Sequence, residues 1–588
     1  MKRIIRLLSC MTMLMLALAG PTSSLAKTDD FQMNYPPNMK PNHGMVQRII
    51  AKMSPKEKIG QLVMPSTHDN NQQLPNEQTK KLLQEYKAGS VIIYGDRDSE
   101  KTAQYNNQLQ EWANETRLRI PLFTSADLEY GAVQHVTDAT TFPRQMGIAA
   151  TGDLEAAKKV AAITAEEARA MGFNWNYSPV ADVNTNPLNP VIGVRSFGAD
   201  VDLVSDMTVA QVDGYQENGV IATAKHFPGH GDTSVDSHYG LASVTYDRET
   251  LENIHLPPFE AAIEAGVDSI MTAHVIIEAI DPELPATLSE KVLTGLLREE
   301  LGFDGLIVTD AMSMDAIDEE WGSGQAAVMT IKAGADIVMA TGTYEEQIET
   351  FEALLDAYQT GEISKKRIDD SLERILTKKI EYNLFKDRFV DINHAVETTN
   401  DPEHKQFAND IAQQSITLVK NDGVLPFDKA DQATTLVVGP QIYGETYYME
   451  HIAEAVDQQA TGKVESIITS TNPSEQEIAN VLQAANNVDR IIAATFSASE
   501  LPAGQSRLVS ELTETGKPTV AFSLGLPYDI QGYPEVSAYL ASYAVERWGS
   551  PVPTSWNAAV DVIFGEQPGG SLPVSINDAY NIGTGLKY

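Results

Sequence analysis

The sequence predicts an α/β protein with two folded parts: a (β/α)8 TIM barrel followed by a smaller α/β sandwich domain. Three observations carry this reading. From about residue 55 to 345, eight short β-rich runs alternate with longer helical patterns, the arrangement that closes a barrel of parallel strands. A second, shorter series of strand and helix patterns starts near residue 405. The 588-residue chain is long enough for two or three domains, each with its own core. A doubly wound open sheet is the competing α/β arrangement for the first block.

The chain opens with a segment outside the fold. Lys2, Arg3 and Arg6 form a positive n-region, Leu7 to Ala19 is an apolar run of 13 residues, and Ser24-Leu25-Ala26 offers small residues at a cleavage site. The run is too short to span a bilayer, and residues 1–26 read as a secretory signal peptide cut before Lys27. Cys10 is the one cysteine of the sequence. The processed chain therefore has no thiol, which excludes disulfides, Cys-zinc sites and Cys nucleophiles. Lipid anchoring at Cys10 would discard most of the apolar run. No later segment is apolar enough to cross a membrane, so the protein is expected outside the cell, in solution or at the wall.

The barrel is expected over residues 27–385. Its strands are read at Ile59–Met64, Ser90–Tyr94, Ile120–Ser125, Phe173–Pro179, Val220–Lys225, Ser269–His274, Leu306–Thr309 and Ile337–Ala340. A long amphipathic helix runs from Asp153, a suitable N-cap, to Met171. Residues 386–404 are polar and pattern-poor and read as a linker. The sandwich is expected over 405–588, with strands at Thr435–Val438, Val464–Ser470, Ile491–Phe496, Thr519–Leu524, Ala538–Leu540 and Leu572–Ile576.

Charge narrows the function. Lys and Arg number 43 against 81 Asp and Glu, a net −38. Such a surface repels nucleic acid and anionic lipid, because binding a polyanion requires neutralising phosphates.

A barrel enzyme carries its chemistry where the strands end. Here those ends hold Asp127 and Glu129, Asp182, Lys225-His226, His274 and Thr309-Asp310. One aspartate after a strand is ordinarily a helix cap; so many ionisable groups at successive strand ends point to a site. The densest stretch, Lys225 to His238, reads KHFPGHGDTSVDSH, and five of the eleven histidines lie between 226 and 274. Pro228, Gly229 and Gly231 exclude a regular helix there. Two chemistries compete for this loop. His226, His230, Asp232, Asp236 and His238 are all metal-ligating types, but without a helix the 226/230 pair shares no face. Alternatively, Asp236 orients the His238 imidazole as a proton shuttle.

KHFPGHGDT followed by DSH resembles the signature of the β-N-acetylglucosaminidase subgroup of glycoside hydrolase family 3. SPKEKIGQLVM at 54–64, GFNWNYSPVADV at 172–183, RSFG at 195–198 and VTDAM at 308–312 resemble the same family's barrel. NDGVLPF at 421–427 and FGEQPGGSLPVSI at 564–576 resemble its second domain. The resemblance implies Asp310 as nucleophile, His238 as general acid/base, Asp236 as its orienting partner, and Asp127, Arg195, Lys225 and His226 as ligands of the sugar hydroxyls. It implies no metal and no cofactor. The activity implied is exo-acting, retaining hydrolysis of terminal β-linked N-acetylglucosamine, from peptidoglycan fragments or related glycans. Lys225 and Arg195 are expected to keep Asp310 ionised. A neutral imidazole base would also tolerate phosphate as acceptor. One stretch departs from the family: Tyr130 replaces a glycine, and Ala132 and His135 stand where arginines are common. Trp175 and Tyr177 fit either a sugar platform or the barrel interior. A broader β-glucosidase or β-xylosidase, a barrel metallohydrolase and a non-catalytic carbohydrate-binding barrel are the alternatives.

Overall fold

The computed structural model describes residues 43–67, 74–546 and 552–588; the signal-peptide segment 1–26 and Cys10 lie outside them. The N-terminal part alternates strand and helix. Its main parallel strands are β1 Val63–Pro65, β2 Ser90–Ile92, β3 Phe123–Ala126, β4 Trp175–Asn176, β5 Thr223–Phe227, β6 Ser269–Thr272, β7 Leu306–Val308 and β8 Val338–Ala340, beside a separate parallel pair, Ala242–Val244 with Val275–Ile277. The ladders group as β8–β1, β2–β3–β4 and β5–β6–β7. Single parallel bridges connect these groups, at Ser66–Ile92, Trp175–Ile221, Val180–Lys225 and Val308–Ile337. The strand interiors are fully buried, as expected for parallel strands covered by helices.

The local elements follow from the sequence, with three corrections. The run Ile59–Met64 is not one strand. Ser54 and Glu57 form a reciprocal capping box, Pro55 occupies the first helical turn, and the helix Pro55–Gln61 displaces the strand to Val63–Pro65. The polar stretch 386–404 carries a helix, Ile392–Thr399, capped by the Asp391 side chain, and its Ala395 joins the main apolar core. The helix beginning after Asp153 is as expected: Asp153 caps Leu154–Ala170 through the Ala156 N–H.

The C-terminal part is a six-stranded sheet: β9 Thr417–Asn421, β10 Thr435–Pro440, β11 Val464–Thr469, β12 Arg490–Thr495, β13 Thr519–Ser523 and β14 Ala538–Ala541. The order is β9-β14-β13-β12-β10-β11, with β9 antiparallel and the rest parallel. Alternate residues feed two apolar clusters, Val437, Ile492 and Phe522 on one face and Leu436, Ile491 and Ala521 on the other. The third correction falls here. Leu572–Ile576 is not a strand, and the sixth position belongs to Thr417–Asn421. The backbone around Leu572 is committed elsewhere: Ser571 N–H donates to Ala150 C=O (2.8 Å), and Pro573 C=O accepts from Ala199 N–H (3.1 Å). These bonds tie the two parts together.

An apolar cluster seals the same seam. Met146, Ala150 and Val194 from the first part pack with Leu526, Ala541, Tyr543 and Val574 from the second. Among the described residues, no helix is long and apolar enough to cross a membrane. The shared cluster makes the two parts one cooperative unit. Leu526→Ala is expected to cost about 2–5 kcal/mol and to lower a single calorimetric transition. Two separated transitions in the unmodified protein would contradict this coupling.

Candidate active site

The C-terminal ends of the N-terminal strands surround a cavity of about 250 Å³. Asp127, Arg195, Lys225, His226, His238 and Asp310 all line it, and Asp236 stands directly behind His238. The seven residues singled out from the sequence thus converge from β3, β5, β7 and two loops.

The floor is a chain of charges, buried at Lys225 and Glu129 and partly exposed at Asp127 and Arg195. Lys225 Nζ lies 2.6 Å from Asp127 Oδ1 and 2.8 Å from Glu129 Oε1. Arg195 closes on Glu129 with both arms, Nε to Oε2 at 3.0 Å and Nη2 to Oε1 at 2.8 Å, the fork geometry that favours a guanidinium over an ammonium. Burial pushes the Glu129 carboxyl up, but Arg195 and Lys225 outweigh it and hold the group far below the usual range. Burial likewise opposes the Lys225 charge, and Asp127 and Glu129 more than restore it. Sequence reasoning saw Glu129 at a strand end and gave it no role; its signal was the pair of acids, 127 and 129, on one strand end.

His226 and Asp182 form a second buried unit. Asp182 accepts from the His226 backbone N–H (3.3 Å) and the His230 N–H (2.7 Å), and its Oδ2 is 2.8 Å from His226 Nδ1. A carboxylate only accepts, so Nδ1 carries the proton. His226 Nε2 then faces Asp310 Oδ2 at 3.9 Å. An extra residue in β5 between Ala224 and Phe227 bends the strand where Lys225 and His226 sit, as bulges beside sites do.

Asp310 follows β7, and its Oδ1 accepts from the Ala311 N–H at 2.7 Å. Burial pushes this carboxyl up, yet it is held well below the usual range by the imidazoles of His226, His274 and His238 and by that N–H. This corrects the sequence expectation. Lys225 and Arg195 spend their charge on Asp127 and Glu129, and imidazoles dominate around Asp310.

His238 stands at the rim, its side chain 42 % exposed, while Asp236 is 6 % exposed. Asp236 Oδ1 accepts from the His238 backbone N–H (3.0 Å) and lies 2.8 Å from Nδ1. With Nδ1 donating to Asp236, the ring leaves Nε2 on the cavity side as its other nitrogen. The loop that carries this dyad is pinned at its base. Asn189 Nδ2 donates to His230 C=O (2.9 Å), Asn186 Nδ2 to Thr233 C=O (3.0 Å) and Thr185 Oγ1 to Asp232 Oδ1 (2.8 Å).

The remaining loop histidine is structural. His230 uses Nδ1 on Thr233 (2.7 Å) and Nε2 on Ser237 (3.0 Å), and burial pushes it down to about 4. His230 and Asp236 are thus engaged within the loop, and Asp232 is engaged by Thr185. Among the described residues no group of three or more His, Cys, Asp or Glu is arranged to hold a metal ion. His274 is fully buried, with Nδ1 on Thr287 (2.7 Å) and Nε2 on Ala311 C=O (3.0 Å), so it braces the backbone after Asp310. Trp175 and Tyr177 are fully buried, with Trp175 Nε1 donating to Thr223 Oγ1 (2.7 Å) and the Tyr177 hydroxyl to Ser125 Oγ (2.8 Å). They fill the interior. His135 and Tyr94 line the cavity, their rings edge to face at 5.9 Å.

Comparison with known proteins fixes the class. The description "Glycosyl hydrolase family 3 N terminal domain" matches residues 55–378, and "Glycosyl hydrolase family 3 C-terminal domain" matches residues 416–584. The chain belongs to glycoside hydrolase family 3. It is 33 % identical over 560 residues to Beta-hexosaminidase A of Pseudoalteromonas piscicida, covering 86 % of this chain and 92 % of that one. It is 33 % identical over 433 residues to a Beta-N-acetylglucosaminidase/beta-glucosidase of Cellulomonas fimi, covering 72 % and 74 %. A solved family 3 beta-N-acetylglucosaminidase from Paenibacillus sp. str. FPU-7 superposes with a TM-score of 0.81 at 34 % identity, covering 89 % of this chain and 99 % of that one.

The loop geometry yields a prediction. A Cβ on Gly231 would sit 1.9 Å from Val183 C=O, so Gly231→Ala must displace the loop base. Such overpacking typically costs about 1–3 kcal/mol. Glycosidase activity is expected to fall by more than tenfold because Asp236 and His238 move with the loop. Wild-type turnover by this variant, in a steady-state assay, would show that loop placement is not limiting.

Proposed function

We propose that this chain is a secreted, exo-acting, retaining β-N-acetylglucosaminidase that removes terminal β-linked N-acetylglucosamine from cell-wall fragments or related glycans. The observation that carries the proposal is the Asp236–His238 pair on a barrel loop at the mouth of the cavity that holds Asp310. The likeness to proteins named for this activity supports the sugar. The leading segment 1–26 supports export, and export suits a wall-derived substrate. We read the eight parallel strands, joined by single bridges between ladders, as the closed (β/α)8 barrel, with 386–404 as its connection to the sandwich at 405–588.

In this reading the ionised Asp310 oxygen attacks the anomeric carbon. The His238 imidazolium gives its Nε2 proton to the departing oxygen, and a glycosyl ester forms on Asp310. The neutral His238 then takes a proton from water as the water oxygen attacks the same carbon, and Asp310 leaves with the bonding pair. Asp236 stabilises the imidazolium in both steps. An imidazole base places no second negative charge beside the ester, so phosphate can replace water as acceptor. Asp127, Lys225, Arg195 and His226 hold the sugar hydroxyls. The cavity, about 250 Å³, lies at the small end of ligand pockets and suits one terminal sugar.

The test is hydrolysis of matched aryl β-N-acetylglucosaminide and aryl β-glucoside by wild type, Asp310→Ala and His238→Ala, with and without a chelator. Cleavage confined to the N-acetyl substrate, a loss of about 10³-fold or more in each variant and indifference to chelation are expected. Equal cleavage of the glucoside would move the assignment to a broader β-glucosidase. Full activity of Asp310→Ala would remove the nucleophile, and inactivation by chelator would return the loop to metal chemistry.

A further inference from the structure

Glu546 comes from the C-terminal part, just after β14, yet it lines the same cavity as Asp127, Lys225 and Arg195. It is 8 % exposed. One oxygen, Oε1, pairs with Arg144 Nη1 at 3.1 Å. Arg144 is in turn stacked on the Tyr130 ring, 3.4 Å from its centroid. The other oxygen, Oε2, is buried with no hydrogen-bond partner among the described residues.

A buried carboxylate oxygen without a donor is costly. Here it belongs to a side chain in the wall of a cavity read as a sugar site, and a sugar presents hydroxyl donors. We propose that Glu546 Oε2 accepts a hydrogen bond from a glycone hydroxyl, so that the second domain completes the sugar-binding site. The proposal rests on the glycosidase reading above and adds a specificity residue to it. Burial, with the Glu129 charge adding to it, pushes the Glu546 carboxyl up on balance, against the pull of Arg144, Arg195 and Lys225. Glu129, Arg195 and Lys225 belong to the floor of the cavity. In this reading Glu546 recognises the terminal sugar, and proton transfer at the leaving group stays with His238. The Arg144–Tyr130 stack is the positioning element. Tyr130 supplies the ring on which the Glu546 partner rests.

A cavity of about 20 Å³ adjoins the site and is walled by Val191, Arg195, Ser497, Leu526 and Glu546. It has room for about one water, which is the competing partner for Oε2.

The test compares wild type with Glu546→Ala on aryl β-N-acetylglucosaminide, β-glucoside and β-xyloside. Each parent sugar is accompanied by its available monodeoxy analogues. A hydroxyl bonded to a carboxylate contributes about 10–100-fold in kcat/KM. One deoxy analogue is therefore expected to be that much poorer for wild type on whichever parent it cleaves. In Glu546→Ala the parent should fall to the level of that analogue, with the rest of the deoxy series unchanged in ratio and Glu546→Gln restoring part of the loss. Arg144→Met combined with Glu546→Met removes both partners of the buried pair without stranding a charge, and it should show the same collapse where the alanine variant does not fold. Retention of every deoxy penalty in the folded variants would overturn the proposal and assign Oε2 to water. Which parent sugar the wild type cleaves separately decides the activity reading.

Discussion

The site depends on a chain of alternating charge, Asp127–Lys225–Glu129–Arg195, whose middle members Lys225 and Glu129 are buried. Lys225 and Glu129 would each be expensive to bury alone, and stranding one member of a buried pair costs about 3–5 kcal/mol. The chain therefore constrains geometry. It locks the end of β3 to the end of β5 and to the loop that delivers Arg195, which also donates to Val191 C=O at 3.2 Å. The cavity floor is thus set before any substrate arrives, and charged hydrogen-bonding groups face a space the size of one sugar. Preorganisation of this kind is what a polar ligand in competition with water needs.

The two carboxylates on either side of the proposed reaction are kept apart by their surroundings. Asp310 sits among imidazoles and a backbone N–H, which hold it ionised despite burial. Asp236 is tied to His238 on a loop anchored at its base, while the loop tip carries exposed Val235 and Tyr239. One acid is therefore held within the N-terminal part, and the other is tied to a side chain at the rim. This division suits a cycle in which the leaving group departs and water enters from the open side. The C-terminal part closes the opposite flank through the Met146–Leu526–Tyr543 cluster and brings Glu546 to the wall.

Much of this was legible in the sequence because it is local. Strand ends could be read from apolar runs followed by charge, and the Lys225–His238 loop from its glycines, proline and histidines. What escaped was non-local or was decided by competition. Glu546 follows a strand of another domain, and nothing within its own segment marks it; only folding carries it to Arg144 and the cavity. Leu572–Ile576 has a strand's composition, but its neighbours' backbone bonds go to Ala150 and Ala199. Ile59–Gln61 lost to the Ser54–Glu57 capping box just upstream. The ionisation of Asp310 was expected from the nearest cations in a list of site residues, whereas the fold pairs those cations with other acids and leaves the imidazoles to act.

The central claim is that Asp310 carries the sugar covalently. The most direct measurement is mass spectrometry of the protein after reaction with a slow 5-fluoro β-N-acetylglucosaminyl fluoride, followed by peptide mapping. The account predicts a mass increase of one fluorinated sugar residue, located on Asp310, that disappears as the enzyme turns over. An adduct on another residue, or full turnover through an inverted product with no adduct, would contradict it.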